Sequence, residues 1–174
     1  ASAGATDLSL TSGSGGINGP YSEGGGIAAR GDVWLLNSTL SGNRTTGATS
    51  HGGGIWSSGG FVFGVAITQS TVTDNHVASG EGGGVYQVNL PLVNFAIAIN
   101  ASIVAGNTAS AGGADVVKDA QSTLTVTYSL IGTGVTPSNA GGNNVAANNP
   151  QLAPLANNGG PTQTRAPLPG SQAI

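Results

Sequence analysis

The chain contains no cysteine and only 6% charged residues, and both shortages narrow what it can be. Without Cys there is neither a disulfide framework nor a Cys-ligated metal. Ordinary globular proteins carry about 25% Asp, Glu, Lys and Arg. Here four basic and seven acidic residues leave a formal net charge of −3. Four cations cannot build a phosphate-binding patch, so nucleic acid is not an expected partner, nor is an anionic membrane surface. No stretch approaches the ~20 apolar residues of a membrane span, so no membrane insertion is expected. No basic segment precedes an apolar run at the start, so any targeting segment is expected to have been removed or to lie upstream. Capped helical stripes of apolar residues are also lacking.

What the sequence does have is glycine, with 31 residues, and a regular supply of Ile, Val and Leu within an apolar fraction of 38%. That apolar content argues against disorder, which a Gly-rich composition alone would suggest. Gly-rich runs start at Gly24, Gly52, Gly82, Gly112 and Gly141, 28 to 30 residues apart. A second mark, apolar-x-x-Asn, ends at Asn43, Asn75 and Asn107, with a spacing of 32. Two marks with nearly one period identify an internal repeat.

Aligning the copies on the Asn exposes columns. Val33, Val65 and Ile97 form one, and Leu35, Ile67 and Ile99 a second. Ser38, Ser70 and Ser102 form a third, followed by Leu40, Val72 and Val104. A fourth copy places Leu124, Val126, Ser129 and Ile131 in these columns, with Gly134 where the Asn would stand. Leu8 and Leu10 fit an earlier, partial coil. Apolar residues two apart mean extended chain with one buried face, and the three-residue step to the last column implies a corner. Each repeat is then several short strands.

Antiparallel hairpins need no 30-residue period, and propeller blades usually need about 40–50 residues. A coil that stacks on its own copy explains the columns directly, placing like residue over like at ~4.8 Å. The expected fold is therefore all-β: a right-handed, single-stranded parallel β-helix of about five coils. Residues 1–149 form the repeats, and 150–174 an irregular Pro-rich wrap on the last coil, within a single domain.

The glycine runs and the apolar-x-x-Asn tetrads resemble the chlamydial polymorphic outer-membrane protein repeat, with Leu or Val where that repeat usually has Phe. The tail resembles the "choice-of-anchor Q" class of bacterial surface proteins. The matching residues are Tyr128-Ser129-Leu130-Ile131, Gly141 to Val145, Pro150 to Leu155, Asn158 to Thr162 and Leu168 to Ser171. The chain departs from that pattern at Asn149 and at Arg165, where a His is common, and it stops at Ile174 where related chains continue with Asp and Gly. The resemblance implies an exported, extracellular β-helix, a segment of a larger surface protein, and supplies no catalytic residues.

Candidate chemistry is sparse. Glu23, His51 and Glu81 precede successive glycine runs, followed by Ala111, and would form a column with Glu23 and Glu81 roughly 10 Å apart. That is near the upper end of the ~6.5–9.5 Å of inverting glycosidase carboxylates, and a Glu-His-Glu set is a weak metal candidate. A solvated corner explains the same residues without chemistry. Trp56 and Tyr86 are expected to point outward as neighbours, a candidate sugar-stacking or docking pair. Trp34 also reads as outward, whereas Phe63 and Phe95 fall in phase with the core.

Asp74 sits within the turn of an apolar-x-x-Asn tetrad, opposite Gly42 and Gly106, where turn chemistry accounts for it. Lys118 is the only Lys, and Asp115 and Asp119 do not make the dense carboxylate cluster of a lyase. The glycosylation-like triplets at Asn37, Asn43 and Asn100 arise readily in an Asn/Thr-rich chain. Thr39 and Thr71 align, but Ile103 ends the flat Thr column an ice-binding face would need. The expected function is a non-enzymatic structural or adhesive module, without cofactor or metal, of a secreted or cell-surface bacterial assembly. It associates with itself, with other surface proteins or with glycans. A polysaccharide-binding or polysaccharide-cleaving β-helix is the alternative.

Overall fold

A computed structural model describes residues 23–58, 64–88 and 95–174, together with the backbone at 3–6, 9–11, 14–15 and 21–22. Phe63 and Leu8 lie outside the described residues. The described chain is all-β with no helix, and its strands stack in parallel as a β-solenoid.

Five sheets run along the stack. The first contains Ala3–Thr6, Val33–Leu36, Gly64–Thr68, Ala96–Asn100, Thr123–Thr127 and Asn139–Gly141. The second contains Ser9–Thr11, Thr39–Ser41, Thr71–Thr73, Ile103–Val104, Leu130–Ile131 and Val145–Ala146. The third has Ser14–Gly15, Arg44–Thr45, His76–Val77 and Thr108–Ala109, and the fourth Tyr21–Glu23, Thr49–His51 and Gly80–Glu81. The fifth has Ile27–Ala29, Ile55–Ser57, Val85–Gln87 and Val116–Lys118. About three turns therefore put a strand in every sheet. The turn holding Leu10 is one of these, so the partial coil expected there is a full circuit.

The register reproduces the sequence columns. Val33 pairs with Val65, Val65 with Ile97 and Ile97 with Leu124. Leu10, Leu40, Val72, Val104 and Ile131 form another continuous line. From Val33 and Leu40 onward these side chains make one apolar core, with Val65, Ile67, Val72, Ile97 and Val104 at 0% exposure. Each such side chain contributes about 1.5–3 kcal/mol through burial. Phe95 is buried as expected, at 3%.

Corners are held by polar ladders. The Ser38 backbone N–H donates to Ser70 Oγ, Ser70 to Ser102 and Ser102 to Ser129, at 3.0–3.1 Å. Each of these hydroxyls donates to the carbonyl two residues before it. The corner residue preceding each Ser has a positive φ, at Asn37, Gln69, Ala101 and Tyr128. Only Asn is at ease in that conformation, so the stacked ladder holds the other three there.

A second ladder runs through the repeat asparagines. Asn43 donates its backbone N–H and its Nδ2 to Asn75 Oδ1, and Asn75 does the same to Asn107 Oδ1, at 2.9–3.1 Å. The Nδ2 groups of Asn75 and Asn107 also reach the carbonyls of Leu40 and Val72. The Asn75 and Asn107 amides are thereby paired at both oxygen and nitrogen, which makes an internal polar column tolerable.

Candidate functional site

The Glu23, His51 and Glu81 column exists. Glu23 pairs in register with His51, and His51 with Glu81. The next residue in line is Gly112 rather than Ala111, because the chain between Asn107 and the glycine run is shorter in that turn. Glu23 is exposed, while His51 and Glu81 are partly covered. The His51 ring stacks on Tyr86, with centroids 4.2 Å apart and planes at 25°. Its Nδ1 is buried and makes no hydrogen bond. Burial pushes the Tyr86 phenol above its ordinary pKa, and the negative charges of Glu81 and Asp119 push it the same way. The phenol is therefore a neutral hydrogen-bonding group through the physiological range.

Trp56 and Tyr86 are register neighbours, as expected. Their exposure is not as expected. Tyr86 is only part-exposed and is committed to His51, and Trp56 is 6% exposed although it lies outside the apolar core. Its other register neighbour is Ala28, whose small side chain leaves room for an indole to lie against the sheet. The pair is no open sugar-stacking platform. Trp34, by contrast, is outward and 40% exposed.

The structure thus gathers His51, Glu81 and Tyr86, with Asp119 near enough to act on the phenol, and leaves Glu23 at the exposed edge. Two stacking steps between Glu23 and Glu81 correspond to about 10 Å, and the intervening position is filled by the imidazole. Among the described residues no three His, Asp or Glu side chains converge to hold a metal ion. Surface cavities among the described residues lie elsewhere. One of about 390 Å³ sits between Ile103, Tyr128, Val145 and Ile174; two of about 280 and 340 Å³ flank Val116 and Val135.

Two connections were not read from the sequence. The Asn ladder ends on Asp115, whose Oδ1 accepts both the backbone N–H and the Nδ2 of Asn107, at 3.0 and 2.8 Å. A carboxylate thus takes the acceptor role the next asparagine would fill, where the sequence alignment has Gly134. Gly132 makes the room: a Cβ there would lie 1.8 Å from Asp115 Oδ2. The other connection is Arg165, which pairs with Asp74 and also donates to Ser41 Oγ and to the Ala153 carbonyl. Asp74, Gly42 and Gly106 all have positive φ, so the turn reading holds, but Asp74 has this second task.

Asp115 is 6% exposed, and burial raises its carboxyl pKa above the ordinary value despite the opposing Asn107 hydrogen bonds. A carboxyl whose folded pKa is raised holds its proton more tightly when folded. Its stabilising contribution is complete below the unfolded pKa and is lost as pH rises through the folded value. Asp115→Asn keeps the acceptor and removes the charge. The variant is expected to gain stability relative to the parent as pH rises from below 4 to 7, read from urea midpoints across that range.

Searches of family models, curated proteins and solved structures find no match to this chain.

Proposed function

We propose that this chain is a non-enzymatic structural or adhesive module of a secreted or cell-surface bacterial assembly. In this reading it is a right-handed solenoid of about five coils, residues 150–174 lie over it as an irregular wrap, and copies associate end to end or with other surface proteins. The observation that carries the reading is the continuous parallel stack, in which the first and last described strands of each sheet each pair with a single neighbour. The strands of its first two sheets carry no Asp, Glu, Lys, Arg or His. The glycine- and asparagine-repeat resemblance supports export to the cell surface.

The two ends differ in shape. The first two sheets continue two strands beyond Val116–Lys118 of the fifth. A neighbouring copy would meet a step about 10 Å deep, which admits one rotational setting. Concentrated protein is therefore expected to form filaments of uniform width by negative-stain electron microscopy, and to sediment as a concentration-dependent series. Dispersed monomers at every concentration, with no attachment to cells, would remove the assembly reading.

The stack of His51 on Tyr86 beside Glu81 favours a second reading, a polysaccharide-cleaving surface. Release of reducing ends or unsaturated products from a polysaccharide panel, abolished by Glu81→Gln, would establish it.

A further inference from the structure

The cavity of about 390 Å³ opens on the outside of the second sheet, between the corner that precedes that sheet and the end of the C-terminal segment. Small-molecule sites span roughly 300–1,000 Å³, so this volume suits a compact ligand. Its floor is the outward column Ile103, Leu130 and Val145, which strand register places in line. Gln172 and Ala173 form the far wall, and Tyr128 forms the near one.

Tyr128 is out of keeping with its corner. Earlier turns put Asn37, Gln69 and Ala101 there, and all four residues have positive φ. A bulky side chain is strained in that region, at φ 50° here, and such strain gathers where the side chain has a task. The following turn spends one more residue on the corner, because Thr127 pairs with Gly141 and Leu130 with Val145. Gly142 lies within that longer corner, and a Cβ on it would stand 2.6 Å from Tyr128 Cε1. The ring therefore rests on glycine backbone. In the preceding turn its neighbour is the small Ala101. Tyr128 is held in place yet remains 66% exposed.

We propose that this cavity binds one pyranose ring of a neutral glycan, stacked on Tyr128. A sugar has C–H faces and a rim of hydroxyls, which match an aromatic ring and an apolar floor bordered by polar groups. Asn143 and Gln172 line the opening and are exposed, and neither side-chain amide is bonded to another described residue. Each offers sugar hydroxyls both a donor and an acceptor. None of the lining side chains is charged at neutral pH, so an acidic or basic sugar finds no counter-ion. A lipid chain is a poorer occupant, because it would take water from both amides and return no hydrogen bond. The inference rests on the adhesive half of the proposed function. Glycan retention reads this cavity, whereas filament formation reads the ends, so either can fail without the other.

The test is native affinity electrophoresis of the whole chain through gels holding hydroxyethyl cellulose, glucomannan, arabinoxylan or dextran, with polygalacturonate as the charged comparison. Retardation in at least one neutral gel is expected. Tyr128→Asn should weaken it about tenfold without lowering the urea midpoint, because Asn is at ease at positive φ. Tyr128→Phe keeps the ring and should retain most of the affinity. Gln172→Ala, at an exposed position, should cost about threefold and decides the matter should Tyr128→Asn misfold. Glu81→Gln, in the other candidate site, should change nothing. Retardation in no neutral gel overturns the proposal, as does retardation by polygalacturonate alone. So does retardation indifferent to both Tyr128→Asn and Gln172→Ala, or abolished by Glu81→Gln.

Discussion

Asn75→Ala is expected to destabilise the fold by about 4 kcal/mol, more than loss of any single exposed contact. Asn75 is 0% exposed and is the middle rung of its ladder. Its Oδ1 accepts two donors from Asn43, and its Nδ2 serves both Asn107 and the Leu40 carbonyl. Truncation takes the Asn75 Oδ1 acceptor from the buried Asn43 backbone N–H and Nδ2, and the Nδ2 donor from the Leu40 carbonyl. Each orphaned group costs about 1–3 kcal/mol. Urea denaturation followed by circular dichroism measures the loss. Asn75→Asp provides the matched comparison: it keeps the acceptor but drops the donor and adds a charge, so its deficit should grow as pH rises from acid to neutral. A loss under 1 kcal/mol for Asn75→Ala would mean that water or a neighbouring carbonyl replaces the rung, and that the ladder is not what sets the register.

Gly53→Ala is expected to cost about 3 kcal/mol, although it adds one methyl group. Gly53 is the middle residue of its glycine run. A Cβ there would lie 2.5 Å from the Gly83 carbonyl oxygen and 2.8 Å from the His76 nitrogen. Both obstacles are backbone belonging to the next turn, and neither can swing aside as a side chain could. Relief would require the turns to separate locally, breaking the hydrogen bonds by which Gly53 and Gly54 N–H groups reach Gly82 and Gly83 carbonyls, at 3.0 and 2.9 Å. Thermal denaturation should show a lowered midpoint with unchanged strand content. A neutral Gly53→Ala would show that the glycine run is kept for chain flexibility and not for close approach.

Much of this architecture was legible before any coordinates. The Val33, Val65 and Ile97 column is spaced at 32 residues because each residue touches its own copy, and a repeat is the one pattern that advertises long-range contact locally. The Asn and Ser ladders were legible for the same reason. The fate of the aromatics was not. Trp34 and Trp56 both alternate with inward residues, so periodicity assigns both to the outside. Which one stays exposed depends on what lies over it once the turns stack, and alternation along a strand carries no information about that.

The site was less legible still. Spacing places Glu23, His51 and Glu81 in one line, but Tyr86, which takes the His51 ring, belongs to a different sheet. Asp115 and Arg165 escaped for a related reason. Each acts once, outside the repeat, so no second copy marks it.

The amino-acid sequence by itself determined the parallel stacking of short strands, the membership of the apolar core and the polar columns at the corners. All of these follow from a period that brings equivalent residues into contact. Tertiary structure alone decided which outward side chains meet solvent, where the Asn ladder ends and what Arg165 grips. Those outcomes depend on surfaces supplied by segments far away in the chain, at separations that follow no repeat.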